Sequence, residues 1–247
     1  MDFIIRQFES IDSTNNYLQD FLLHEKVEEG FVIWAKEQTA GRGHGKNHWE
    51  SKAGKNLTFS VLLKPAFIPP ENQFLLTQIV SLAIVGLLEE ILPKEKITIK
   101  WPNDIYIGDK KVAGILIQNF IKGEVIDYSI VGIGLNVNQQ QFFSDAPNPV
   151  SLIQITDNLL ILDVLLDKLL MHIKNIYEQS ASIFLREEIN KRYLSLLFRY
   201  NKQAVFKENN LRFRATISGI GKFGQLILQL ENGEKKRYAF KEVEFVI

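Results

Sequence analysis

The chain of 247 residues contains no cysteine. A thiolate nucleophile, a disulfide framework and a cysteine-ligated zinc are therefore excluded. Net charge is missing as well: Lys plus Arg and Asp plus Glu both number 29, which argues against bulk electrostatic attraction to nucleic acid. Long apolar runs are lacking. The longest, Ile79 to Leu88, is broken by Ser81 and Gly86 and is too short to span a bilayer. Met1 to Gln7 shows no basic stretch leading into an apolar one, so no secretion signal is visible. These absences predict a soluble, cytoplasmic protein. No internal repeat or low-complexity tract is present.

What is present is ordinary for a globular protein: 46% apolar and 23% charged residues, with length enough for one large domain or one domain and a small appendage. Strands are predicted at Phe3 to Phe8, Phe31 to Trp34 and Asn56 to Leu63, with a helix entered through Asp12 or Ser13 as its N-cap. Glu71 to Leu92 reads as an apolar helix stopped by Pro93. The pattern then changes to period two, with strands at Ile97 to Ile99, Ile105 to Ile107, Lys111 to Phe120 and Glu124 to Val137 forming an antiparallel meander. Amphipathic helices are predicted over 158–179 and 181–199. Residues 202–247 read as four or five short strands, with Asn232-Gly233 as a type I′ hairpin turn. Helices mixed with antiparallel pairs indicate an α+β fold: a mixed or antiparallel sheet flanked by helices over residues 1–199, and a small SH3-like barrel over 200–247.

Two polar segments do not make sense as packing. One is the glycine-punctuated loop Gln38-Thr39-Ala40-Gly41-Arg42-Gly43-His44-Gly45-Lys46-Asn47-His48-Trp49-Glu50-Ser51; the other is Lys100-Trp101-Pro102-Asn103-Asp104. Buried, either would carry backbone groups and charges that need partners. Flanking glycines let backbone N–H groups approach an anion, so Arg42 between Gly41 and Gly43 suits an anion clamp, or else is an incidental arginine on a surface loop. The loop is not a Walker A motif, since Ala40 stands where glycine is required and Asn47 where Ser or Thr should follow Lys46. Gly132-Ile133-Gly134 likewise lacks the third glycine of a dinucleotide fingerprint.

With Ser13-Thr14-Asn15 at a helix start, Lys111-Val112-Ala113-Gly114-Ile115-Leu116 and Gly132-Ile133-Gly134-Leu135-Asn136-Val137, these segments resemble the biotin protein ligases, in the right order over residues 13–137. The resemblance implies a class II synthetase-like catalytic domain and a C-terminal SH3-like domain. It implies that ATP, with Mg²⁺, activates biotin as biotinyl-5′-AMP, and that biotin passes to a lysine of a biotin carboxyl carrier domain. Because the first motif stands at residue 13, the expected form is the enzyme alone, without a DNA-binding domain. No membrane partner is expected, and the sequence leaves monomer and homodimer open.

Site roles follow residue by residue. Lys111 and Arg42 are the expected catalytic cations, Lys111 bridging the biotin carboxylate and the α-phosphate; by spacing alone Lys111 reads more readily as a solvated hairpin lysine, as most strand-end lysines are. Biotin is expected against Ser13, Thr14, Asn15, Gln38, Gly41, Arg42, Lys111 and Gly114, although Ser13-Thr14-Asn15 also suits plain helix capping. The adenylate is expected against Trp49, Asn103, Asn136, His44 and Asn47, and Asp104 is the expected Mg²⁺ ligand. Asn136 has an alternative, a buried amide bonded to backbone. The loop departs from the family in carrying His44 and Asn47 where arginine is usual, a loss of positive charge that His44, His48 or Lys46 would have to offset. The loop is expected to be disordered without ligand.

The alternative within enzymes is a lipoate or octanoyl ligase of related fold, and the alternative from another class is a non-catalytic biotin or adenylate sensor. Lys235-Lys236-Arg237-Tyr238 beside Phe240 raises nucleic-acid binding, which a solvated barrel face explains equally well.

Overall fold

The structure is a computed structural model that describes residues 1–45, 47–144 and 148–246. A seven-stranded sheet is built from β1 (Ile4–Ile11), β2 (Phe31–Gln38), β3 (Leu57–Leu63), β4 (Ile97–Lys100), β5 (Asp104–Ile107), β6 (Lys110–Lys122) and β7 (Val125–Leu135), in the order β1-β2-β3-β7-β6-β5-β4. Only β1 and β2 run parallel; the other neighbours are antiparallel, so the sheet is mixed. The strands β3 and most of β7 are buried on both faces.

Helix α1 (Thr14–His24) packs on β2, β3 and β7 around a small cluster of Leu18, Phe31, Ile33, Leu62 and Ile130. The other face carries α2 (Phe74–Ile91), with α4 (Leu162–Gln179) and α5 (Ile183–Ser195) outside it. A single turn, α3 (Ile153–Thr156), precedes α4. Over 70–91 the chain is long and apolar enough to cross a bilayer, with mean hydropathy 1.8, but α2 is enclosed by the sheet, α4 and α5. A helix that is apolar all round belongs in such a core.

Three helices differ from the sequence expectation at their ends. Pro69 and Pro70 put Pro70–Asn72 into a 3₁₀ turn, so α2 begins at Phe74 rather than Glu71. The Asn138 amide holds both the N–H and the C=O of Leu160, at 3.0 and 2.8 Å, and delays α4 to Leu162. Past Ser195 the backbone leaves α5 to pair with β4, Ile99 bonding to Leu196 and Phe198, so the helix stops short of Arg199.

A second, five-stranded antiparallel sheet follows: β8 (Gln203–Glu208), β9 (Leu211–Ile220), β10 (Leu226–Leu230), β11 (Lys235–Tyr238) and β12 (Glu244–Phe245), ordered β11-β10-β9-β8-β12. Its hairpin at Asn232-Gly233 is not type I′. Leu230 accepts from Gly233 N–H and donates to Glu234, and Gly233 alone has positive φ (86°) while Asn232 does not. Glu231 and Asn232 are thus the central residues of a turn closed by a left-handed glycine, a three-residue hairpin with a glycine bulge. Trp101 ties the two sheets together, its Nε1 donating to the Gly224 carbonyl at 2.8 Å.

Candidate active site

A cavity of about 620 Å³ opens over the α1 side of the large sheet, between the 41–51 loop, Lys100 to Asp104 and the Phe240 to Phe245 segment of the small sheet. Its floor is made of glycines. Gly114 and Gly134 are register partners on β6 and β7, and Leu116 is opposite Gly132. A Cβ on Gly132 would collide with Asn15 Oδ1, one on Gly134 would collide with the Trp49 indole, and one on Gly114 would stand 3.0 Å from that ring. The Gly-Ile-Gly run therefore lowers the sheet beneath two side chains that reach across it.

One end of the cavity is a polar slot. Ser13 occupies the N-cap position of α1 but makes no capping bond; instead Gln38 Oε1, from the end of β2, accepts from Thr14 N–H at 2.8 Å and its hydroxyl at 3.1 Å. The glutamine thereby satisfies a free N–H of the helix start. Ser60 Oγ lies 2.7 Å from Thr14 Oγ1 and 2.6 Å from Asn15 Oδ1, while Asn15 Nδ2 donates to Leu116 O and Gln118 Oε1. Ser13, Thr14 and Asn15 are all at most 3% exposed. Thr14, Asn15, Gln38, Ser60 and Gln118 thus hold one another in place.

At the centre stands an ion pair. Lys111 Nζ is 2.6 Å from Asp104 Oδ1, with side chains 19% and 22% exposed, across the β5–β6 register shift. Lys111 also lies 5.6 Å from the centre of the Trp49 ring. Lys100, between the Tyr106 and Phe245 rings, is the second ammonium here. Burial lowers its pKa, Asp104 opposes that, and Lys111 and Arg199 add to it.

The loop folds back as a hairpin: Gly43 N–H donates to Asn47 O and Trp49 N–H to Gly41 O. Gly41 permits that closure, since a Cβ there would be 2.5 Å from the Trp49 carbonyl. Arg42 reaches Asn16 Oδ1 at 2.7 Å. His44 meets the edge of Phe240 at 4.0 Å between ring centres. Its pKa is lowered by burial first and by Lys241 second, with Asp104 pulling the other way. Glu50 ties the loop base to 139–144, accepting from Gln139 Nε2 and the N–H groups of Phe143 and Ser144. Lys46 lies outside the described residues.

The structure thus brings Ser13, Thr14, Asn15, Gln38, Arg42, His44, Asn47, Trp49, Asn103, Asp104, Lys111 and Gly114 to one cavity. Gly41 and Asn136 stand outside its lining. Asn136 is buried, and its Nδ2 donates to the Val150 carbonyl at 3.1 Å, the backbone partner that its sequence position left open. Sequence reading missed Ser60 and Gln118, which anchor the slot from strand interiors, and Phe240, Lys241, Glu244 and Phe245. No local pattern marks those last four, because they reach the cavity only through docking of the two sheets. The residues do not fit a resident metal. Asp104 is taken by Lys111, and no cluster of three metal-ligating side chains exists among the described residues.

A hydrogen-bonding slot, a cationic centre and an aromatic wall with an unpartnered buried Trp49 Nε1 suit a nucleotide held beside a second small molecule. The chain belongs to the biotin/lipoate A/B protein ligase family, whose model matches residues 7–136. It is 39% identical over 119 residues to the bifunctional ligase/repressor BirA of Bacillus subtilis, covering 48% of this chain and 36% of that one. To the Salmonella typhimurium protein of the same name it is 32% identical over 183 residues, 72% of this chain and 53% of that one. The chain thus spans about a third to a half of these relatives. The solved biotin protein ligase of Aquifex aeolicus, in complex with biotin and ATP, superposes with TM-score 0.80 at 26% identity, covering 98% of this chain and 99% of that one.

Proposed function

We propose that the protein is an ATP-dependent biotin–protein ligase. The observation that carries this reading is the position of Lys111, whose ammonium shares one cavity with the polar slot and lies 5.6 Å from the centre of the Trp49 ring. In the first step a biotin carboxylate oxygen attacks the α-phosphorus, and the bond to pyrophosphate breaks. In the second, the amine of an acceptor lysine attacks the acyl carbon, loses a proton and expels AMP. Lys111 is placed to counter charge gathering on the carboxylate and α-phosphate oxygens, the kind of preorganised stabilisation that weighs most in acyl and phosphoryl transfer. Asp104 orients that ammonium. Ser13, Thr14, Asn15 and Gln38 offer donors and acceptors to the ureido ring, Trp49 and Asn103 face the adenylate, and Arg42 and the loop keep water from the mixed anhydride. The acceptor is a biotin carboxyl carrier domain. Residues 1–199 form the catalytic domain and 200–247 a second domain that completes the cavity wall.

The test is calorimetric titration of biotin, followed by pyrophosphate release with magnesium–ATP, for wild type and Lys111→Ala. Biotin-dependent release that falls at least about a hundredfold in the variant is expected, on the scale of losing one preorganised charge contact. Binding without release would make the protein a sensor; release with lipoate or octanoate but not biotin would move it to the other branch of its family.

A further inference from the structure

Among the loop's described side chains Arg42 alone carries a fixed positive charge at neutral pH, and it is turned to Asn16 Oδ1. His44 is held below its ordinary value of 6.5, Asn47 is neutral, and Lys111 is already paired with Asp104. A nucleoside triphosphate needs cations around its phosphates. One arrives from the other sheet. Lys241 lines the cavity, and among the described residues it has no ion-pair partner within 4.0 Å. Its ammonium lies against the loop at Gly45: a Cβ there would stand 2.7 Å from Nζ. It therefore occupies the space that a loop side chain would otherwise reach into, and it is close enough to His44 to depress that ring's pKa.

The backbone carries a second mark. Lys241 has φ 71°, in the left-handed region that favours Gly or Asn, within a turn where Glu242 N–H donates to Ala239 O and Glu242 Oε2 accepts from Ala239 N–H. A lysine is a poor choice for that turn on conformational grounds. Such strain at a cavity wall is a reason to look for function.

We propose that Lys241, from the turn before β12, binds the phosphates of the nucleotide and supplies the positive charge that the loop lacks at positions 44 and 47. This rests on the ATP-using reading above, but its test does not need biotin or turnover. Inorganic pyrophosphate is titrated calorimetrically into wild type, Lys241→Asn, Lys241→Arg and the double variant His44→Arg/Lys241→Asn, with thermal midpoints recorded for each. Asn suits the left-handed turn, so Lys241→Asn is expected to match or exceed wild-type thermal stability while binding pyrophosphate about tenfold more weakly, the loss of one charge-assisted contact. Arginine at 241, or at 44 in the double variant, is expected to restore most of the affinity.

Affinity in Lys241→Asn within about twofold of wild type, a wild type that does not bind pyrophosphate, or failure of both arginine rescues would overturn the proposal. A wild type that binds pyrophosphate through Lys241 yet releases none with biotin would sink the ligase reading alone.

Discussion

The indole of Trp49 rests on Gly134, so close that a Cβ on residue 134 would stand 2.6 Å from its Nε1. The loop's aromatic wall is thus seated by a glycine on a strand more than eighty residues away. Gly134→Ala must push the indole up or move the strand. Overpacking of this kind costs about 1–3 kcal/mol, and here the cost falls on the seated loop. We expect a raised KM for ATP with little change in biotin affinity, measured by pyrophosphate release. Equal effects on both substrates would mean that Trp49 does not border the nucleotide.

Gly132→Ala offers the matching test at the slot. Its Cβ would collide with Asn15, which is held by Ser60, Leu116 and Gln118. Biotin affinity is expected to fall by about tenfold or more while ATP binding is spared, since moving one fixed polar group leaves its partners unpaired. Calorimetry with each ligand separately decides it.

His44 predicts a pH dependence. Its folded pKa lies below 6.5, so the ring is neutral at pH 7 and charges only as pH falls through that lowered value. Nucleotide binding is therefore expected to tighten on acidification below 6.5, and bound phosphates should raise the His44 pKa in turn. His44→Arg should remove this component and bind ATP more tightly at pH 8. A KM for ATP with the same pH profile in both proteins would exclude the ring as its source.

Glu50 anchors the loop base to 139–144. Burial raises its pKa, but bonds from Ser144, Phe143 and Gln139 outweigh that and leave it below 4.5. A depressed carboxylate pKa stabilises the fold above the unfolded value and loses that contribution as pH falls through the folded one. Glu50→Gln is expected to cost about 1 kcal/mol at pH 7, with the gap to wild type closing under acid, by urea unfolding across pH 3–7. The same variant should expose the 41–51 loop to protease sooner. In wild type, biotin with ATP should slow that cleavage; unchanged cleavage rates would show that the loop is equally ordered with and without ligand.

Much of the architecture was legible in the order of residues because it depends on local pattern. Period-two runs set the meander, the mostly apolar stretch before Pro93 set the buried helix, and glycine-rich polar loops marked where packing could not be the purpose. Helix ends were less legible. The start of α4 depends on the Asn138 amide holding Leu160, a pairing across 22 residues that no window of sequence contains. The hairpin at Asn232-Gly233 went to a glycine-bulge turn, since Leu230 and Glu234 pair around three residues rather than two.

By itself the sequence determined the chemistry on offer: no thiol, two lysine-bearing polar motifs, a glycine loop, and a Gly-Ile-Gly strand that fits no nucleotide fingerprint. Tertiary structure decided how these are used. Strand register set Gly114 beside Gly134, and α1 laid Asn15 over Gly132, which turned spare glycines into a floor. Docking of the small sheet brought Phe240 and Lys241 to the loop about two hundred residues before them. Such contacts arise from burying apolar faces shared by distant segments, and the partner of each residue is chosen only when those faces close.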